Sequence, residues 1–372
     1  MVRTYKYKLY NTKKNKHLHR LINISGCIYN KCIALHKRYY RLYGKSLNKF
    51  QLQKHLTKLK KLERYQFWNH LGSQAIQNIT ERIDEGYKKF FKKQGGIPSF
   101  KKVKKYKSFT LKGLVGYKLE GNHIVINKRN YKFWLSRPID GKIKTFTVKR
   151  DTLGDLYICI SLEVEQAQNN TTTGNSVGID FGLRKFLQLS DNTEIESPLF
   201  HLKHLSKIKA LNRNLSKKKK GSNNRKMAKQ RLAKLHIKVS NLRKDYFHKL
   251  SNDLADRYDN LIIEDLNIKA MQRLWGRKVS DLAFSEFLNI LSYKTNVHKI
   301  DRFYPSSKTC SSCDKVNEEI NNDLSRLNDR LFICDCGFEM DRDLNASINI
   351  YRVGASTLGL GDVRPAMQAI SV

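Results

Sequence analysis

The chain has 372 residues and carries 72 Lys and Arg against 33 Asp and Glu, a formal net charge of +39. That length implies two or three domains, and so much like charge calls for a polyanionic partner, nucleic acid before membrane. No stretch approaches the ~20 apolar residues of a membrane span, and Met1 to Lys16 lacks the apolar centre of a signal peptide, which points away from membrane and secreted classes and toward a soluble, cytoplasmic protein.

In chain order, residues 5–9 alternate weakly and suit one strand. Leu18, Leu21, Ile24, Ile28, Cys32 and Leu35 then step by three or four, the apolar face of a helix. Further helices are expected around residues 52–62 and 68–91, and no Pro interrupts before Pro98. After the break at Gly95-Gly96-Ile97-Pro98, short alternating runs at 108–111, 123–126, 131–135, 144–148 and 157–164 read as strands separated by turn residues. They suit a small β-barrel. Residues 166–175 are polar and Thr-rich, hence a linker.

A new module starts at Val177-Gly178-Ile179-Asp180-Phe181-Gly182, whose strand pairs naturally with residues 185–189. Residues 202–215 and 226–258 read as a helical hairpin with a seam of Leu232, Leu235, Val239, Leu242 and Tyr246. Its turn carries Lys217-Lys218-Lys219-Lys220 and suits a loose tip. A strand at 261–264, a helix at 280–298, a strand at 299–304 and a last helix at 342–353 follow. The Gly-rich end after Gly354 suits a loosely held tail.

Three acids stand out. Asp180 and Glu264 each end an apolar strand, and Asp341 and Asp343 stand at the start of the last helix. Singly, each also suits a turn former or a helix cap. In an RNase H-like sheet the first strand is central, the fourth lies beside it and the last helix packs across their ends, which would unite them. Phosphodiester hydrolysis needs an activated water and a stabilised leaving oxygen, and two divalent ions about 4 Å apart supply both. Carboxylates are the usual protein ligands for Mg²⁺.

Of the seven cysteines, Cys310-Ser311-Ser312-Cys313 and Cys334-Asp335-Cys336 form two pairs. In a reducing compartment, such pairs suit a tetrahedral structural zinc, with free buried thiols as the alternative. Cys27 and Cys32 lie on the apolar helix face. Lys101, Lys102, Lys104 and Lys105, beside Tyr106, are candidates for phosphate-backbone contact.

The Val177 to Gly182 run, Ile262-Ile263-Glu264-Asp265-Leu266, the cysteine pairs and Asp341-Arg342-Asp343-Leu344-Asn345-Ala346-Ser347-Ile348-Asn349-Ile350 closely resemble the TnpB family, which is similar to the compact type V CRISPR effectors. The tail through Gly361-Asp362-Val363-Arg364-Pro365 resembles it too. The resemblance implies a multidomain α+β chain. A helical recognition domain (residues 11–94) is inserted in a β-barrel (1–10 and 95–168). A RuvC-like, RNase H fold nuclease domain (174–305 and 341–355) carries a Cys₄ zinc segment (306–340), and a tail (356–372) follows. It implies RNA-guided cutting of double-stranded DNA beside a target-adjacent motif, with a guide RNA from the transposon end and a Mg²⁺ site of Asp180, Glu264 and Asp343. It also implies nucleoid association on DNA. Asp343 rather than Asp341 is chosen because the family's acid precedes the x-Asn-Ala step; Asp341 becomes the helix N-cap. Ser73-Gln74 resembles a family element facing the target-adjacent duplex, where Gln can read adenine. The competing readings are an RNase H-fold transposase and a non-cutting regulator.

Overall fold

The computed structural model describes residues 2–113, 115–164, 173–317 and 331–359. Most of the expected linker, the middle of the cysteine segment and the tail beyond Gly359 lie outside them. The chain divides into two compact units, residues 1–168 and 169–372.

The first unit begins with β1 (Val2–Lys8) and continues into α1 (Asn15–Tyr43), α2 (Lys49–Leu59), a 3-10 stretch (Glu63–Leu71) and α3 (Ser73–Phe91). Helix α1 buries Leu18, Leu21, Ile24, Ile28 and Cys32, the stepping the sequence carries, and ends at Gly44, whose left-handed φ of 63° lets its N–H reach the Tyr40 carbonyl. Helix α2 opens with a reciprocal Asn48–Gln51 capping box.

Six strands follow: β2 (Ser108–Lys112), β3 (Tyr117–Glu120), β4 (His123–Ile126), β5 (Arg129–Lys132), β6 (Lys142–Arg150) and β7 (Leu156–Glu163). They form a four-stranded sheet, β1-β7-β6-β2, and a three-stranded sheet, β3-β4-β5. The N-terminal strand thus joins the later ones across the helices. Alternate residues Phe146, Val148, Ile158 and Ile160 share one core with Ile124, Ile126 and Tyr131 of the smaller sheet and with Phe133 just past its last strand. The sheets are joined by an antiparallel bridge between Leu9 and Phe133. Among the described residues the expected barrel is therefore a two-sheet sandwich, hydrogen-bonded along one side.

The second unit is built on β8 (Ser176–Asp180), β9 (Lys185–Leu189), β10 (Glu194–Glu196), β11 (Asn260–Glu264) and β12 (Asn296–Ile300). Their order is β10-β9-β8-β11-β12, with β8, β11 and β12 parallel and β9 antiparallel to β8. The first strand is central and the fourth lies beside it, as an RNase H-like sheet requires. Helices α4 (Phe200–Lys203), α5 (Leu205–Ser216) and α6 (Asn223–Arg257) connect β10 to β11; α7 (Ile268–Leu282) and α8 (Phe284–Leu291) connect β11 to β12. A small hairpin, β13 (Leu331–Ile333) and β14 (Glu339–Asp341), precedes α9 (Arg342–Thr357).

Three local expectations change. The helix expected over 280–298 is broken at Ala283, which takes a left-handed φ of 48°, and it stops at Leu291. A left-handed Ala costs about 1–2 kcal/mol. The break delivers Phe284 and Phe287 into a cluster with Phe186 and Phe247, and full burial of each ring is worth roughly 2–3 kcal/mol. The following strand accordingly starts at Asn296 rather than 299. On α6, Leu235 and Val239 are buried as the seam requires, but Leu242 is 38% exposed, and the neighbouring Arg243 pairs with Glu286 of α8 instead.

Candidate functional site: a carboxylate cluster and a thiol knot

Strand parity decides which side chains meet. Ile179 lies opposite Ile263 in the parallel β8–β11 ladder, and both point into one hydrophobic core with Leu261 and Phe284. Side chains alternate between faces, so Gly178 and Asp180 share the opposite face, as do Ile262 and Glu264. Helix α9 covers that face. Ile350 of α9 packs on Ile262. A Cβ on Gly178 would lie 2.3 Å from the Ser347 carbonyl oxygen, and one on Gly354 would lie 2.2 Å from Ile262 Cγ2. The two glycines thus set the closeness of helix and sheet. Asp343, Ser347 and Gly354 lie on one side of the helix by the 3.6-residue period, which carries Asp343 to the strand ends where Asp180 and Glu264 emerge.

All three carboxylates are half-buried. Burial, then the Glu264 charge, then the Asp343 charge push Asp180 up to about 7, against the Phe181 N–H and Arg342. Burial also raises Glu264, opposed by a hydrogen bond from the Ser306 hydroxyl. Among the described residues, the four paired cysteines bring their ligand atoms within 4.8 Å of one another. The carboxylates are hard oxygen donors whose charges act on one another at Asp180, and such a donor set fits Mg²⁺.

Asp341 caps α9: its Oδ1 accepts the N–H groups of Asp343 at 2.9 Å and Leu344 at 3.1 Å. Its Oδ2 accepts from Lys185 Nζ at 3.2 Å. Lys185, which no motif singles out, is thus part of the support that fixes the Asp343 turn.

The four thiols converge. Cys310 and Cys336 sulfurs are 3.8 Å apart, and those of Cys313 and Cys334 are 3.6 Å apart. A zinc with ~2.3 Å bonds to four sulfurs has tetrahedral edges of about 3.8 Å, so the donor set fits zinc despite the short C-x-C pair. A left-handed Gly337 (φ 82°) closes the turn whose Cys334 N–H reaches the Phe338 carbonyl. Buried asparagines bolt this segment to α9. Asn345 donates to the Thr309 carbonyl at 2.8 Å and accepts the Ser311 N–H at 2.9 Å. Asn349 donates to the carbonyls of Ser306 and Thr309 at 2.9 and 2.6 Å. Ser306 in turn holds Glu264. The thiol knot and the carboxylates therefore share one hydrogen-bonded frame.

The candidate nucleic-acid contacts lie in the first unit. Ser73 is exposed and Gln74 half-buried at the start of α3. Lys101, Lys102, Lys104 and Lys105 are all exposed. The backbone at Lys101 is clamped by Asn30, whose amide accepts its N–H at 2.9 Å and donates to its carbonyl at 2.7 Å. In the second unit the Lys217 to Lys220 turn is exposed at most of its lysines, and Arg225 donates to the Leu215 and Lys218 carbonyls, both at 2.8 Å.

Sheet order, clustered acids and knotted thiols belong to a multidomain α+β protein. Its fold is similar to that in the cryo-EM structure of a Cas12f1–sgRNA–target DNA complex, with a TM-score of 0.60 at 13% identity over 94% of this chain and 98% of that one. Residues 158–274 match the OrfB_IS605 family model, described as a probable transposase, and residues 284–350 match the Cas12f1-like TNB domain. The chain is 30% identical, over 99% of its length and 93% of the relative's, to a Streptomyces pristinaespiralis protein named "Putative RNA-guided DNA endonuclease". It is 26% identical to InsQ of Escherichia coli K12, which bears the same description, over 90% of this chain and 88% of that one. It is also 31% identical to the mimivirus TnpB-like protein L79 over 59% of this chain and 45% of the relative. The chain belongs to the TnpB family.

Proposed function

We propose that this protein is an RNA-guided double-stranded DNA endonuclease that takes its guide RNA from a transposon end, requires a target-adjacent motif and cuts through a RuvC-like site. The observation that carries the reading is the meeting of Asp180, Glu264 and Asp343 on the α9 face of the second unit's sheet, with Asp180 held up to about 7 by burial and by the other two charges. Three converging acids on a chain of net charge +39 make sense as a cation site at the place where a phosphate backbone must approach. The printed names of the relatives support the same reading.

Asp180, Glu264 and Asp343 would hold Mg²⁺, which activates water and stabilises the leaving oxygen when bound. The protein's own part is positioning. Ser306 fixes the Glu264 carboxylate, Asp341 with Lys185 fixes the first turn of α9, and the Gly178–Ser347 approach sets the depth of Asp343. Cys310, Cys313, Cys334 and Cys336 would hold a structural zinc with no open ligand position. Lys101, Lys102, Lys104 and Lys105 would grip phosphates, and Ser73 and Gln74 would face the target-adjacent duplex.

The test is to purify the protein from its native locus, sequence the co-purifying RNA and assay cleavage of a matching DNA with Mg²⁺. A discrete transposon-end RNA and guide-dependent cutting are expected. Strand joining that persists after RNase treatment would instead support the transposase reading, which the description of the matched family model favours.

A further inference from the structure

Where β1 runs past Lys8, the chain carries an unusual surface. Leu9 pairs with Phe133 in the bridge between the two sheets. Both point inward, 3% and 0% exposed. By alternation the flanking residues Lys8, Tyr10, Lys132 and Trp134 point outward. Their backbones are pinned, because the Tyr10 N–H donates to the Lys132 carbonyl at 3.0 Å and the Trp134 N–H to the Lys8 carbonyl at 2.9 Å. On this outward face the Trp134 and Tyr10 rings stack at 4.4 Å between centroids and 16° between planes. The Lys132 ammonium lies 5.5 Å from the Tyr10 ring centroid.

Trp134 nevertheless remains 57% exposed, whereas Trp68 of the same unit is 2% exposed. A tryptophan used for packing is buried as Trp68 is; one stacked on a single side and otherwise open presents a rigid π-face to solvent. Its rotamer is already fixed by Tyr10, so a ligand that stacks there orders little more of the protein. Lys132 stands on the same face and is exposed, as does Lys8, which pairs with Asp155 at 2.8 Å. A planar ring flanked by negative charge is the matching ligand. Within a continuous duplex both faces of every base are already covered, which leaves an unpaired base as the one able to reach the indole.

The geometry points to Trp134, backed by Tyr10, as a stacking site for one unpaired nucleobase of a single-stranded nucleic acid, with Lys132 beside it for the adjoining phosphate. The inference deepens the guided-nuclease reading by assigning a strand contact to the first unit, but its test does not depend on cutting.

The full-length protein in chelator is titrated with fluorescent oligouridylate, oligothymidylate and an abasic oligomer of equal charge. Trp134→Leu, which keeps apolar bulk without a ring, should weaken binding of at least one base-bearing oligomer about 5- to 100-fold and leave the abasic one unchanged. Trp134→Phe should recover most of the loss. Loss with uridylate assigns an RNA strand, and loss with thymidylate a DNA strand. The base-bearing oligomer should also quench the part of the wild-type emission that Trp134→Phe removes. Equal affinities of Trp134→Leu and wild type for both base-bearing oligomers, or equal losses on the abasic one, would overturn the site whether or not the protein cuts DNA.

Discussion

Gly178 and Ser347 meet backbone to backbone: a Cβ on the glycine would sit 2.3 Å from the serine carbonyl oxygen and 2.6 Å from the Tyr351 nitrogen. Neither atom belongs to a side chain that can swing away. Gly178→Ala should therefore push α9 off the sheet, cost about 1–3 kcal/mol and displace Asp343 from Asp180. Thermal melting and guide-dependent cleavage would both report it. A variant that melts normally and cuts at the wild-type rate would show that helix depth does not set the site.

Asp180→Ala, Glu264→Gln and Asp343→Asn should each abolish cutting while leaving RNA and DNA binding in place. Asp341→Asn keeps a capping side chain and should lose far less than the ~1 kcal/mol of a lost cap, with cutting reduced only modestly. Gel-based cleavage beside filter binding separates the two effects. The reverse pattern, with Asp341 essential and Asp343 dispensable, would reassign the third acid.

Ser306→Ala removes the hydroxyl that donates to Glu264. Cleavage should fall roughly tenfold to a hundredfold, as for other groups that orient metal ligands, with the Mg²⁺ concentration for half-maximal rate rising. An unchanged Mg²⁺ dependence would leave Ser306 with a purely local role.

Cys310→Ser, or prolonged chelation, should release about one zinc per chain if the four thiols act together. Asn349→Ala should loosen the same segment, since its amide holds the Ser306 and Thr309 carbonyls. Metal analysis with a thiol-reactivity assay would follow both. Purified protein with no zinc and four freely reactive thiols would contradict the knot.

The two units should respond oppositely to acid in the absence of metal and nucleic acid. Burial lowers His17, His19, His36 and His55 of the first unit from 6.5. His36 is the most enclosed, 3% exposed, stacked 3.9 Å from Tyr87 and bonded through Nε2 to the Leu47 carbonyl at 2.8 Å. Their folded values lie below the unfolded value, so this stability is complete above 6.5 and is lost as pH falls through the folded values. Asp180 is raised from 3.8 to about 7. Its contribution is present below 3.8 and is lost as pH rises through about 7. Amide protection, corrected for the intrinsic pH dependence of exchange, should therefore fall in α1 on acidification from neutral pH and rise in β8 and β11. His36→Gln should flatten the first trend and Asp180→Asn the second.

Much of this protein is legible in its sequence. The 3.6-residue stepping of α1 and the apolar strands ending in Asp180 and Glu264 each reflect a local rule. So do the cysteine spacing and the Asp341 cap, because burial periodicity and capping chemistry are written in neighbouring residues. The break at Ala283 was hidden because no Gly or Pro marks it; a remote aromatic cluster compensates for the strained residue. Helix α7 carried no clear pattern. The closed barrel expected from the strand run became a sandwich, since strand patterns do not report which edges pair.

The sequence by itself determined the basic surface, the identity of the acids and thiols and the elements that bear them. The tertiary structure decided which of these stand together. Parallel pairing of β8 with β11 aligned two acids, the close approach allowed by Gly178 and Gly354 brought the third, and Ser306, Lys185, Asn345 and Asn349 tied them to the thiol knot. The same holds for Tyr10 and Trp134, joined only through the Leu9–Phe133 bridge. The reason is range: propensity and periodicity act over a few residues, whereas a site is assembled by contacts whose partners lie tens or hundreds of residues apart and which exist only once the chain has packed.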